Sequence, residues 1–122
     1  MPAKVIDASV VAAWCFREPR AAEALALLRG FDLYAPLLLA YELTSIARRK
    51  TENQPDRTDL FGEALQTALG LPIRWSDVDH LAVLRLALDK SISTYDACYL
   101  HVARTLNVPL STFDQKLARA SV

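Results

Sequence analysis

Four carboxylates stand in apolar surroundings, where acidic residues are uncommon. Asp7 lies in VIDASVV, Glu42 in LAYEL, Asp96 in YDACYL and Asp114 in STFDQKL. Burying a lone carboxylate is unfavourable by several kcal/mol unless a positive charge compensates it. One shared cation would compensate all four, and oxygen-only ligands select hard cations such as Mg²⁺ or Mn²⁺. The usual chemistry of such carboxylate clusters is hydrolysis of phosphodiester bonds.

Each of these acids, taken alone, also has a purely structural interpretation. Asp7 and Asp114 are suited to turns between a strand and a helix, and Asp96 is suited to the first turn of a helix. Glu42 could face solvent on an amphipathic helix. Coincidence is harder to accept for all four together than for any one of them.

Composition excludes several other classes of protein. The 122 residues carry 14 basic and 14 acidic side chains, so a uniformly basic nucleic-acid-binding surface is not expected. The three glycines cannot form a dinucleotide fingerprint or a phosphate loop, and two cysteines with two histidines provide no zinc-type spacing. We interpret Cys15 and Cys98 as reduced core residues. No apolar run reaches the roughly 20 residues that span a bilayer, and no secretory leader is visible, which favours a cytoplasmic protein without membrane contact.

Short β-rich segments alternate with longer helical ones along the chain. The apolar periodicity and the Pro, Gly and Asp boundaries predict strands at residues 5–6, 33–35, 72–75 and 109–112. Helices are predicted at residues 10–16, 19–29, 36–50, 58–69, 76–89 and from 94 onward, with a last turn or two after 114. Residues 51–59 are predicted to form a loop. Ser9 is a candidate N-cap of the first helix, and Ser76 with Asp79 resembles a capping box.

This alternation predicts an α/β fold, a three-layer sandwich in which a short parallel sheet of about four strands is flanked by helices. Ligands in such folds gather at the carboxyl ends of the strands. Asp7 and Asp114 follow strands there, and Glu42 lies roughly 9 Å along the helix that leaves the second strand. His101 lies five positions after Asp96, about 140° around the helix, so it should not share the site.

The same residues resemble those of the PIN-domain ribonucleases, and within them the VapC toxins of toxin–antitoxin pairs. VIDASV at residues 5–10 is similar to the opening strand and first acid of the family, and Glu42 stands in a Pro-x-x-x-x-x-Glu-Leu stretch similar to the second. TYDACYL at residues 94–100 resembles the third-acid motif, and STFD at residues 111–114 resembles the Thr-x-Asp motif of the fourth acid. The resemblance covers residues 1–122 as a single PIN-like nuclease domain.

The resemblance implies a metal-dependent endoribonuclease with RNA as substrate. Asp7, Asp96 and Asp114 would hold Mg²⁺ or Mn²⁺, and Glu42 would ligate a second ion or orient the attacking water. Ser9 and Thr112 would supply orienting hydroxyls, with helix capping and turn formation as their alternative roles. The resemblance also implies a cognate VapB-like antitoxin as partner, and a homodimer or a hetero-oligomer with that antitoxin.

The sequence leaves alternatives open both for the function and for two arginines. The fold could serve a PIN nuclease in RNA maturation or decay, or a catalytically idle interaction module. Arg48 and Arg49 could bind an RNA phosphate or an antitoxin acid, or could be helix C-terminal charges on a solvated face.

Family members commonly carry a further strand after the helix that follows the fourth acid. Without that strand here, four strands are expected, with residues 109–112 at an edge of the sheet.

Overall fold

A computed structural model describes residues 1–122 as alternating strands and helices. The strands are β1 (Ala3–Ile6), β2 (Asp32–Pro36), β3 (Arg74–Ser76) and β4 (Leu110–Ser111). The helices are α1 (Ala8–Cys15), α2 (Ala21–Leu28), α3 (Leu38–Asn53), α4 (Thr58–Leu69), α5 (His80–Lys90), α6 (Thr94–Leu106) and α7 (Gln115–Ala120), with a 3₁₀ turn at Pro55–Arg57 before α4.

The four strands form one parallel sheet in the order β3-β2-β1-β4. Val5 of β1 pairs with Tyr34 of β2 on one side and with Leu110 of β4 on the other. Every carboxyl end therefore points to the same edge of the sheet. The predicted α/β fold with a four-stranded parallel sheet is confirmed, including the edge position of β4.

Helices flank the sheet in two groups. One consists of α1 to α4, in which α1 contacts α2, α3 and α4, and the other consists of α5 to α7, with α6 packed against β1 and β2. The sheet needs cover because β1 is apolar and completely buried at Val5 and Ile6. A contiguous core of 24 buried residues joins sheet and helices, which fixes the edge where the acids lie.

Three predicted helix boundaries are wrong. Asp7, not Ser9, is the N-cap of α1, because its carboxylate accepts hydrogen bonds from the amides of Ser9 and Val10. Asp79 caps α5 by itself, whereas Ser76 ends β3, so the predicted capping box does not form.

The third boundary is the end of α3, which continues into the predicted loop and ends at Asn53. An ion pair of 3.0 Å between Arg48 and Glu52, one turn apart, supports this last turn. Pro55 then ends the helix, because the residue before a proline is disfavoured in helical conformation and Gln54 is accordingly extended in φ at −139°.

Cys15 and Cys98 are free thiols that pack partly buried against the core. None of the helices combines the length and apolar character required to cross a membrane.

Candidate active site

Asp7 is the most completely held of the four acids. It follows β1 directly and is only 6% exposed. Its Oδ1 accepts hydrogen bonds from the Ser9 hydroxyl at 2.6 Å and from the Ser9 amide at 3.1 Å, and its Oδ2 accepts one from the Thr112 hydroxyl at 2.6 Å. These bonds offset part of the cost of burying the carboxylate and fix its orientation at the carboxyl edge of the sheet.

The Ser9 and Thr112 hydroxyls tie two distant turns together. Each has one proton, which it donates to Asp7, and each accepts a backbone amide in return: Phe113 N at 2.8 Å on Ser9 Oγ, and Asp114 N at 3.0 Å on Thr112 Oγ1. The two hydroxyl oxygens lie 3.4 Å apart, but neither has a proton left for a hydrogen bond between them. The turn after β4 is thereby bonded to the turn after β1, more than 100 residues away.

Asp114 is positioned through this junction. Its amide is held by Thr112, and its Oδ1 accepts a hydrogen bond of 2.9 Å from Leu117 N, so it caps α7. The side chain is exposed. Its second carboxylate oxygen, Oδ2, accepts no hydrogen bond from the protein and remains available at the rim of the site.

Glu42 and Asp96 approach the same edge from α3 and α6. Glu42 is partly buried and accepts a hydrogen bond at Oε1 from the phenol of Tyr99, which lies on α6 and is 2% exposed. Asp96 stands in the first turn of α6, whose N-cap Ser93 holds the Asp96 amide at 3.0 Å. Asp96 and Tyr99, three positions apart, share one face of α6.

The acids interact electrostatically. Burial is the main cause that raises the pKa of Asp7, Glu42 and Asp96. The pKa of Asp96 is raised further by the negative charges of Asp114 and Asp7, and that of Glu42 by the charges of Asp7 and Asp96. Like charges that raise one another's pKa values are a common arrangement at functional sites.

No basic side chain forms a salt bridge with any of the four acids. The salt bridges of the chain join Met1 to Asp32, Arg20 to Glu23, Arg48 to Glu52 and Lys50 to Glu18. At the same time, no group of three or more His, Cys, Asp and Glu side chains is arranged so that it could hold a metal ion. The site is therefore a set of mutually repelling carboxylates and not a closed coordination shell.

His101 lies where the sequence predicted, whereas the contact of Tyr99 with Glu42 was not predicted. His101 lies away from the acids, where its Nε2 accepts a hydrogen bond of 3.4 Å from the Asp79 amide, as the helical spacing predicted. Tyr99 was missed as a partner of Glu42, because an aromatic residue at helical spacing is typical of a core position. Its place three residues after Asp96 was the available signal.

The family follows from comparison with known proteins. The model of the PIN domain matches residues 4–122. The chain belongs to the PIN domain family. PIN domains are typically nucleases and generally use divalent metal ions.

The fold has a solved counterpart. The crystal structure of PAE2754 from Pyrobaculum aerophilum superimposes with a TM-score of 0.81 over 98% of this PIN domain and 85% of that chain, at 20% sequence identity. This likeness establishes the PIN-like fold. A search of curated proteins finds no match to this sequence.

The four acids are chemically suited to a divalent metal ion, although their side chains are not arranged as a metal site in this structure. All four side chains supply carboxylate oxygens, which hard cations prefer, and none of them is neutralised by a salt bridge within the protein. A cation among them would relieve the repulsion that raises the pKa values of Glu42 and Asp96.

Proposed function

We propose that this PIN domain is an endoribonuclease that hydrolyses RNA phosphodiester bonds with Mg²⁺ or Mn²⁺. The observation that carries the proposal is the group of four acids at the carboxyl edge of the sheet, unpaired by any basic side chain and mutually repelling. A nuclease family supplies the reaction class, and the all-oxygen donor set favours hard cations.

Each side chain has a role in this proposal. Asp7, Asp96 and Asp114 would hold the ion directly or through water, and Glu42 would orient the attacking water or ligate a second ion. Ser9 and Thr112 keep the Asp7 carboxylate in place through their hydroxyl protons. When bound, the ion supplies positive charge that neutralises the phosphate and favours deprotonation of the attacking water.

The charge balance of the chain is compatible with an RNA substrate. The 14 basic and 14 acidic residues give a net charge of zero, but four of the acids belong to the site. With these neutralised by bound ions, the remainder of the molecule is basic by up to four charges, which favours approach of a polyanion.

We further propose that the nuclease is the toxin of a toxin–antitoxin pair in the cytoplasm and that its antitoxin binds an apolar groove beside the acids. The groove encloses about 540 Å³ between α3, α5 and α6 and includes Leu37, Tyr41, Leu84 and Tyr95. Helix α5 also exposes Leu81 and Leu88, which share a face with Leu84 at helical spacing. Several exposed leucines on one helix face are typical of a protein-binding surface.

The nuclease proposal is tested with end-labelled RNA and DNA of the same sequence. We expect cleavage of the RNA when Mg²⁺ or Mn²⁺ is present, none in the presence of a chelator, and little cleavage of the DNA. Cleavage of RNA in the presence of the chelator would refute the metal dependence. Equal cleavage of the RNA and the DNA would refute the preference for RNA.

The toxin proposal is tested separately, by expressing the chain with and without the product of a neighbouring small gene. Growth arrest that this product relieves, together with its copurification, would support the toxin role. RNA cleavage in vitro without growth arrest would instead favour a nuclease of RNA maturation or decay.

A further inference from the structure

A second groove runs alongside Glu42 on the outer face of α3. It encloses about 430 Å³, and Tyr41, Glu42, Ile46, Arg49 and Tyr95 are among the residues that line it. It shares Leu38, Tyr41 and Tyr95 with the apolar groove described above, but it differs in containing a cation and one of the four acids.

Arg49 is the only basic side chain in this groove, and it has no partner in the protein. It makes no hydrogen bond, ion pair or cation–π contact with another residue. Its neighbour Arg48 lies outside the groove and is paired with Glu52 at 3.0 Å. The structure therefore separates two arginines that are indistinguishable in the sequence.

Arg49 and Glu42 share one face of α3. They are seven residues apart, which is close to two full turns, so Arg49 stands about 10.5 Å from Glu42 along the helix axis. A ligand that passes Glu42 along this groove therefore meets an unpaired arginine about two helical turns farther along α3.

The two tyrosines give the groove aromatic surface. Tyr41 is 75% exposed and Tyr95 is 62% exposed, so both rings are available to a ligand. Neither hydroxyl takes part in a side-chain hydrogen bond of the protein. Exposed aromatic rings combined with a free guanidinium are the usual means by which proteins bind single-stranded nucleic acid, through base stacking and phosphate contact.

We propose that the Arg49 groove holds the single-stranded RNA substrate next to the cleavage site, with a phosphate on Arg49 and bases stacked on Tyr41 and Tyr95. This inference rests on the proposed ribonuclease function. RNA is favoured over an acidic peptide because the groove contains Glu42 itself, past which a substrate strand must run. Arg49 and the two tyrosines are thus substrate-positioning residues.

Binding is measured by fluorescence anisotropy with a labelled single-stranded RNA of mixed sequence. The Asp96→Asn variant serves as the parent, so that the RNA stays intact during the titration. We expect Arg49→Ala to weaken binding about tenfold at low salt and to reduce the slope of log K against log salt by about 0.7, the loss of one phosphate contact. Arg48→Ala is the matched control and should change neither quantity appreciably.

Base stacking is tested at Tyr95 in the same parent. Tyr95→Ala should weaken binding about tenfold without changing the salt slope, because stacking carries no net charge. Tyr95→Phe should bind like the parent. Arg49 and Tyr95 are both exposed, and unchanged melting temperatures will confirm that the variants at these positions are folded.

Two results would overturn the inference. One is an RNA affinity in Arg49→Ala equal to that of the parent or reduced only as far as in Arg48→Ala. The other is binding of an acidic peptide that Arg49→Ala abolishes while RNA binding is unchanged, which would assign the groove to a protein partner. The cleavage assay on the unaltered chain tests the ribonuclease function independently of Arg49, so a failure of the groove proposal and a failure of the proposed function are distinguishable.

Discussion

The phenol of Tyr99 donates a hydrogen bond to Oε1 of Glu42, joining α6 to α3 beside the acids. Tyr99 is buried and Glu42 is partly buried, so the phenol cannot readily exchange this bond for one to water. The bond favours the charged form of Glu42 and opposes the effect of burial on its pKa. Tyr99 thus both orients the Glu42 carboxylate and helps to keep it ionised.

Removing the phenol should alter the pH dependence of cleavage. In Tyr99→Phe the pKa of Glu42 rises further, so the acidic limb of the kcat profile moves to higher pH, and kcat at neutral pH falls about tenfold while KM for RNA is little changed. The measurement is kcat against pH for the variant and the unaltered chain.

Tyr34→Phe is the matched control for this substitution. Tyr34→Phe also removes a hydrogen-bonded phenol, which accepts a bond of 3.1 Å from Arg74. The Tyr34 phenol makes no hydrogen bond to an acid. A pH profile of Tyr99→Phe that superimposes on that of the unaltered chain would show that the bond does not act on Glu42.

The Thr112 hydroxyl should stabilise the fold as well as the site. Thr112→Val keeps the shape of the side chain but leaves the Asp7 Oδ2 and the Asp114 amide without their partner. We expect the free energy of unfolding to fall by about 2 kcal/mol, mainly because the buried Asp7 carboxylate loses a hydrogen bond. Urea denaturation measures this loss, and Thr112→Ser should retain most of the stability. A loss in Thr112→Ser with no loss in Thr112→Val would instead attribute the contribution of Thr112 to packing of its methyl group.

The metal-free protein should become more stable on mild acidification. Asp7, Glu42 and Asp96 have pKa values raised in the folded chain, so the folded state binds more protons than the unfolded state as each group titrates. This stabilisation is complete below the unfolded pKa values near 4 and is lost as the pH rises through the raised values.

The melting temperature in chelator should therefore increase from neutral pH toward about pH 5. Asp96→Asn should raise the melting temperature at neutral pH and flatten the dependence, because it removes one of the repelling charges. Added Mn²⁺ should stabilise the unaltered chain more than this variant. A melting temperature that falls steadily on acidification over this range would contradict the raised pKa values that burial and repulsion give these acids.

The fold could be predicted from the sequence because its signals are local. Apolar strands that end in Asp7 or precede Asp114, with helices between them, are sufficient to predict a parallel sheet and the edge where these acids lie. The helix boundaries were less predictable. Asp7 and Ser9 are both suitable N-caps of α1, and only the structure shows that Asp7 accepts the hydrogen bonds of the helix amides.

The position of the candidate acids at one edge of the sheet was predictable from the sequence, but the contacts that support them were not. Tyr99 has the sequence pattern of a core aromatic residue, and its role depends on Glu42, 57 positions away along the chain. Arg48 and Arg49 are adjacent and chemically identical, so only the helix face distinguishes the arginine paired with Glu52 from the one in the groove. A local sequence pattern does not show contacts between segments that are distant along the chain.

The most direct test of the metal-dependent nuclease is RNA cleavage by Asp96→Asn beside Asp59→Asn, after removal of metal and readdition of Mn²⁺. Asp59 is an exposed acid in the first turn of α4, away from the site, and serves as the control. If the nuclease is metal-dependent, Mn²⁺ restores cleavage to the unaltered chain and to Asp59→Asn but not to Asp96→Asn. Cleavage by Asp96→Asn at the rate of the unaltered chain would contradict it.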